Sequence, residues 1–161
     1  MISLMIQHNG GQPEKIYHMM KIYSFARIIA IEEGVDDEAR ELIEAAAVLC
    51  ELGESSSESA VLADMLLLNL GYERKVIESV CRLILGADGN DELCDIRQQI
   101  LEEARFLVSA YEQKLDKETI VETLSQRFLT SCGKHYLCDI FSVGNRRKSD
   151  NDIFTGGQSD K

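Results

Sequence analysis

The segment that most constrains this fold is Leu42–Gly53, LIEAAAVLCELG. At helical spacing Leu42, Ala45, Ala46, Leu49 and Gly53 share one face, and Ala47, Val48 and Leu52 fill much of the rest. A helix that is apolar nearly all round must be covered on every side, so it belongs in the middle of a domain. The same segment carries two reactive residues side by side, Cys50 and Glu51. An isolated buried charge is costly, so Glu51 must meet a cation, coordinate an ion or take up a proton.

The rest of the chain supplies the cover. With 161 residues, 45% of them hydrophobic, and a single proline, the body reads as one helical domain with a proper core. The spacing predicts about seven helices, near 14–33, 37–53, 58–70, 73–85, 95–113, 117–129 and 131–141. Pro13 suits a first helical turn, and Gly34 and Gly71 suit helix ends. Asp36 or Asp37, Ser55 and Asp116 are natural caps, with Glu58 completing a capping box behind Ser55. Residues 1–12 read as a short apolar patch followed by a turn, and 86–91 as a polar loop. No period-two alternation marks a strand. The expectation is an all-α single domain over residues 1–141, followed by a disordered tail at 142–161 in which Arg146, Arg147 and Lys148 are solvated charge.

Charge narrows the partners. Seventeen basic against 28 acidic residues give a net charge of −11, which speaks against nucleic-acid backbones and anionic membranes. The five cysteines form no CxxC pair. No apolar run approaches the ~18 residues of a membrane span, and the N-terminus is too short and polar for a signal peptide. A cytoplasmic protein with reduced thiols is the expectation. There is no phosphate-binding glycine loop, dinucleotide fingerprint or nucleophile elbow.

His18 lies in line with Ile22, Phe25 and Ile29, and Arg105 lies beside Leu101 and Val108. Together with Ile16–His18, Lys21–Tyr23, Ala45–Gly53, Leu70–Glu73, Ile100–Val108 and Thr130–Lys134, their order resembles the HD-domain metal-dependent phosphohydrolase superfamily. The likeness covers residues 12–141 and is to the small single-domain bacterial type. It implies an HD-like helical bundle in which an early histidine, an adjacent His-Asp pair and a later Asp hold divalent ions (Mn, Fe, Zn or Mg). Those ions polarise a phosphate and activate a water.

His18 matches the early histidine. Cys50 and Glu51 stand at the His-Asp pair, Arg105 stands at the last Asp, and Leu85–Asp88 offers no further histidine. Thiolate and carboxylate remain metal ligands. A guanidinium is not an acceptor and repels a dication. Two arrangements follow for this centre. Either a Glu51–Arg105 ion pair replaces the metal, or Arg105 snorkels to the surface and Glu51 finds solvent. His18 on an apolar line is also what a core histidine satisfied by a carbonyl looks like. A buried Cys50 behaves as a small hydrophobe unless a nearby His18 lowers its pKa.

The resemblance with these changes implies a non-catalytic binding or scaffolding module. Its vestigial pocket would be His18, Lys21, Cys50, Glu51 and Arg105, and its partner a protein or a small phosphorylated ligand. No cofactor is expected on that reading. The alternative is an active phosphohydrolase, acting on a phosphomonoester or nucleotide, that binds metal through His18, Cys50, Glu51 and Asp88. A purely structural subunit is the third possibility.

Overall fold

Capping chemistry sets the element boundaries. The computed structural model describes residues 1–86 and 95–144; Asp88, Cys94, most of the expected 86–91 loop, and Arg146, Arg147 and Lys148 of the expected tail lie outside the described residues. Asp36 accepts the Ala39 N–H, Ser55 the Glu58 N–H and Asp116 the Thr119 N–H, each satisfying an otherwise orphan donor. The helices are α1 Ile2–His8, α2 Pro13–Glu32, α3 Asp37–Leu49, α4 Ser56–Asn69, α5 Arg74–Leu85, α6 Ile96–Glu112, α7 Lys117–Arg127 and α8 Ser131–Phe141. Among the described residues the fold is all-helical and forms one domain. None of these helices is long and apolar enough to cross a membrane.

Among the described residues eight helices stand where about seven were expected. The extra one is α1, whose apolar patch winds into two turns because Met5 is buried in the core and the Asn9 side chain donates to the Met5 carbonyl (2.9 Å). Gly34 and Gly71 stop α2 and α4 in the left-handed conformation that glycine adopts without penalty, at φ +71° and +79°. The following N–H groups close back on Ala30 and Leu67 in each case.

α3 is the central element. It touches α1, α2, α4, α5 and α6, and Leu42, Ile43 and every residue from Ala45 to Leu49 are buried. The three consecutive alanines let the neighbours approach closely, which a bulkier run would prevent. The helix stops at Leu49, four residues before the expected Gly53. Two tertiary bonds turn the chain there: Lys15 Nζ donates to the Leu52 carbonyl (2.8 Å), and the Gly53 N–H donates to Ser59 Oγ (3.1 Å). A Cβ on Gly53 would lie 2.6 Å from Glu58 Cγ, so only glycine fits against the cap of α4. Cys50 and Glu51 therefore sit just beyond the C-terminus of α3, where backbone carbonyls point outward. At the other end of the chain, Val143 packs onto the core, so the domain extends slightly past residue 141.

Candidate functional site

Three elements converge beyond the end of α3. α2 carries His18 and Lys21 one turn apart, the α3 end carries Cys50 and Glu51, and α6 carries Arg105 and Glu112 two turns apart. Since α2 and α6 pack against each other and against α3, their polar residues meet over this end. The spacing is set by the helical repeat.

The side chains form a row of alternating sign. Lys21 Nζ donates to Glu112 Oε1 at 2.8 Å, and Glu112 Oε2 lies 2.5 Å from His18 Nδ1. His18 Nε2 lies 2.8 Å from Glu51 Oε2, and Glu51 Oε1 is 3.5 Å from Arg105 Nε. The side chain of His18, at the middle of the row, is 18% exposed, whereas that of Lys21 at the end is 47% exposed. The Glu51–Arg105 pairing read from the sequence does form. It is the longer of the two contacts, and His18 is the closer partner of Glu51. His18 is bonded by carboxylates on both ring nitrogens and by no backbone carbonyl.

The bonds of the row hold His18, Glu51 and Glu112 toward their charged forms. The hydrogen bond to Glu51 raises the His18 pKa; burial lowers it, and the bond to Glu112 adds to the rise. The His18 bond lowers the Glu51 pKa against the opposing effect of burial, with Arg105 assisting. Burial works to raise Glu112, and its bonds from Lys21 and His18 outweigh it, leaving that carboxyl lowered as well. His18 is thus held toward the imidazolium.

Cys50 lies beside the row as the small buried hydrophobe that the sequence suggests, not as the reactive thiol that a nearby His18 would make of it. It is 2% exposed, its Sγ donates to the Ala47 carbonyl at 3.5 Å, and burial pushes the thiol up to about 12. Arg105 pulls the other way and loses. The free thiolate needed for nucleophilic attack is scarcely formed near neutrality.

An open cavity of about 600 Å³ adjoins the row, walled by His18, Glu51, Arg105, Lys15 and the Ser55 and Ser59 side of α4. The donor set does not fit a divalent ion. Both ring nitrogens of His18 and both oxygens of Glu51 are engaged within the row, and Arg105 brings a permanent positive charge. Among the described residues no group of three or more His, Cys, Asp and Glu is arranged to hold a metal.

A second carboxylate, two residues before Arg105, is satisfied very differently. Glu103 is 1% exposed. Its Oε1 accepts from Gln99 Nε2 (2.7 Å) and from the N–H groups of Leu129 (2.7 Å) and Thr130 (3.0 Å). Its Oε2 accepts the Thr130 hydroxyl, which in turn accepts the Gly133 N–H as the cap of α8. A Cβ on Gly133 would collide with this carboxylate. Glu103 thereby ties α6 to the turn between α7 and α8.

Glu112, Lys15 and the role of Glu103 were not legible as site residues. A signal existed for two of them: Glu103 falls on the stripe Ile100, Leu107 and Ala110, and Glu112 falls on the line of Arg105 and Val108. Comparison of the chain with protein-family models, curated proteins and solved structures yields no match.

Proposed function

We propose that this chain is a degenerate HD-type domain that has exchanged metal chemistry for an internal ionic row and serves as a non-catalytic binding or scaffolding module. The observation that carries the reading is the double engagement of Glu51 by His18 and Arg105. Where the resemblance puts a dication, two protein cations neutralise the carboxylate. The row also argues about the partner. Lys21 and Arg105, the two candidates for holding a phosphate, are both committed to carboxylates, and an incoming phosphate would face Glu51 and Glu112. A protein partner is therefore favoured over a small phosphorylated ligand.

The test joins metal analysis to a reversion. Purified protein should hold no stoichiometric Mn, Fe or Zn and turn over no nucleotide or phosphomonoester. Stoichiometric metal lost on His18→Ala, or genuine turnover, would overturn the proposal. The triple variant Cys50→His, Glu51→Asp, Arg105→Asp should bind Mn or Zn more tightly than the parent in a calorimetric titration. Unchanged affinity in a folded triple variant would sink the reading of the centre as a former metal site.

A further inference from the structure

α3 has a second functional-looking face, remote in character from the ionic row. Glu38, Glu41, Leu42, Ala45 and Val48 recur at helical spacing along it. The face is exposed at Glu38 and Glu41 and buried at Leu42, Ala45 and Val48. α3 and α5 are in contact, yet between them opens a half-enclosed cleft of about 600 Å³. Leu42, Ala45, Val48 and Leu67, each no more than 9% exposed, and half-buried Val76 give it a narrow aliphatic floor, and Met1–Ser3 at the start of α1 and Tyr72 also line it. It shares no lining residue with the cavity beside His18. A volume of this size, apolar within and polar at its edges, has the character of a binding site.

The rim carries a charge pattern. Glu44 is already engaged, accepting from Arg27 (2.5 Å) and Tyr23 (3.3 Å) and lying 3.5 Å from Arg40. Glu38 and Glu41, one turn apart and exposed, make no hydrogen bond or ion pair among the described residues, although the Arg97 guanidinium across the neighbouring cavity attracts Glu38 at longer range. Lys75 stands on the opposite rim, on α5. The cleft is thus acidic along one edge and basic at the other, over an apolar floor.

We propose that this cleft is a docking groove for an amphipathic helix of a partner protein, with apolar residues facing the floor and Lys or Arg residues along the flank that meets Glu38 and Glu41. Charge complementarity commits the occupant to a basic flank, and the chain's net charge of −11 favours its approach. The secondary structure commits it to a helix. The described residues contain no strand whose edge an extended peptide would join, whereas a trough between two helices receives the side-chain ridge of a third. Lys75 fixes the orientation, since a helix turned end for end or side to side would set its cations against it. The inference goes beyond the proposal above and stands independently of it.

The probe is a synthetic, fluorescently labelled peptide of about four helical turns, with Leu at i, i+3, i+4 and i+7 and Lys on one flank. Polarisation titrations against the full chain should show saturable binding that weakens with salt. Glu38→Lys with Glu41→Lys should weaken it at least about tenfold. Tyr72→Ser, in the lining, should weaken it several-fold. Val61→Ser on the outer face of α4 and Arg105→Met in the ionic row should leave it unchanged. All five substitutions lie at exposed or half-exposed positions, and circular dichroism checks that the variants fold. Equal binding of a peptide with the same composition in scrambled order would reduce the effect to general attraction between opposite charges and overturn the proposal. So would native-like binding by the double variant, loss of binding in Arg105→Met, or absence of saturable binding.

Discussion

On one side of α6, Arg105 and Glu112 complete a row of full charges with Glu51, His18 and Lys21; on the other, Glu103 sits in a cage of neutral donors. Both arrangements answer the cost of withdrawing a carboxylate from water. The row answers with opposite charges and keeps its groups partly solvated, so salt and pH act on it. The cage answers with backbone N–H groups and a hydroxyl, none of which titrates near neutrality. It also spends the carboxylate on loose ends that the chain must satisfy in any case: the N–H groups between α7 and α8. The lesson is that the more deeply buried carboxylate carries structure, while the shallower one retains adjustable chemistry.

The largest blow to this contrast should come from Glu103→Ala. It strands the Thr130 N–H in a buried corner and leaves the Leu129 N–H unpaired at its half-buried edge, and the expected loss is about 2–4 kcal/mol in urea unfolding. A loss below about 1 kcal/mol would mean that water replaces the carboxylate and the cage is no cage. Gly133→Ala comes next, at roughly 2–3 kcal/mol, because the added methyl must displace a carboxylate that four hydrogen bonds hold in place.

The row should reveal itself through pH. His18 has a raised pKa, so its contribution is complete below its unfolded value of 6.5 and is lost as pH rises through the folded value. Glu51 has a lowered pKa, so its contribution is complete above 4.5 and is lost as pH falls through its folded value. The row is therefore strongest between pH 4.5 and 6.5, and stability should decline on the alkaline side of that window. His18→Gln should cost about 1–2 kcal/mol within the window and remove the alkaline decline, as followed by thermal melts across pH. An unchanged pH profile in that variant would assign the decline elsewhere. The smallest effect belongs to Arg105→Met. Its contact with Glu51 is long and its side chain 36% exposed, so at most about 0.5–1 kcal/mol is expected, vanishing in high salt.

The helices were legible because their signals are local. Caps at Asp36, Ser55 and Asp116 and stops at Gly34 and Gly71 act within one turn, so the sequence displays them directly. The centrality of α3 was legible for a related reason: a run with no polar side has nowhere else to go. The end of α3 was not, since the Lys15 bond that turns the chain there comes from 37 residues away, outside any local window around Gly53, and Ser59 adds its bond from the next helix. The site was half legible. Glu51 and Arg105 could be paired by charge, but Glu112 meets His18 across 94 residues, and its place on the line of Arg105 and Val108 is the one local sign that sets it apart from a solvated helix-end glutamate. Glu103 was masked by its neighbours, because a Glu-Glu pair on a long helix looks exposed until its stripe is counted.

These separations also imply an order of events in time. The bonds of Glu103 to the corner span 26 and 27 residues, whereas those of His18 and Lys21 to Glu112 span 94 and 91. Closing the longer loop costs more chain entropy before any contact rewards it. Assembly of α6, α7 and α8 should therefore precede the joining of α2 to the end of α6. In chevron measurements, substitutions at the Glu103 corner should then slow refolding, and substitutions in the ionic row should chiefly hasten unfolding. The ionic row is the last clasp to close and the first to spring.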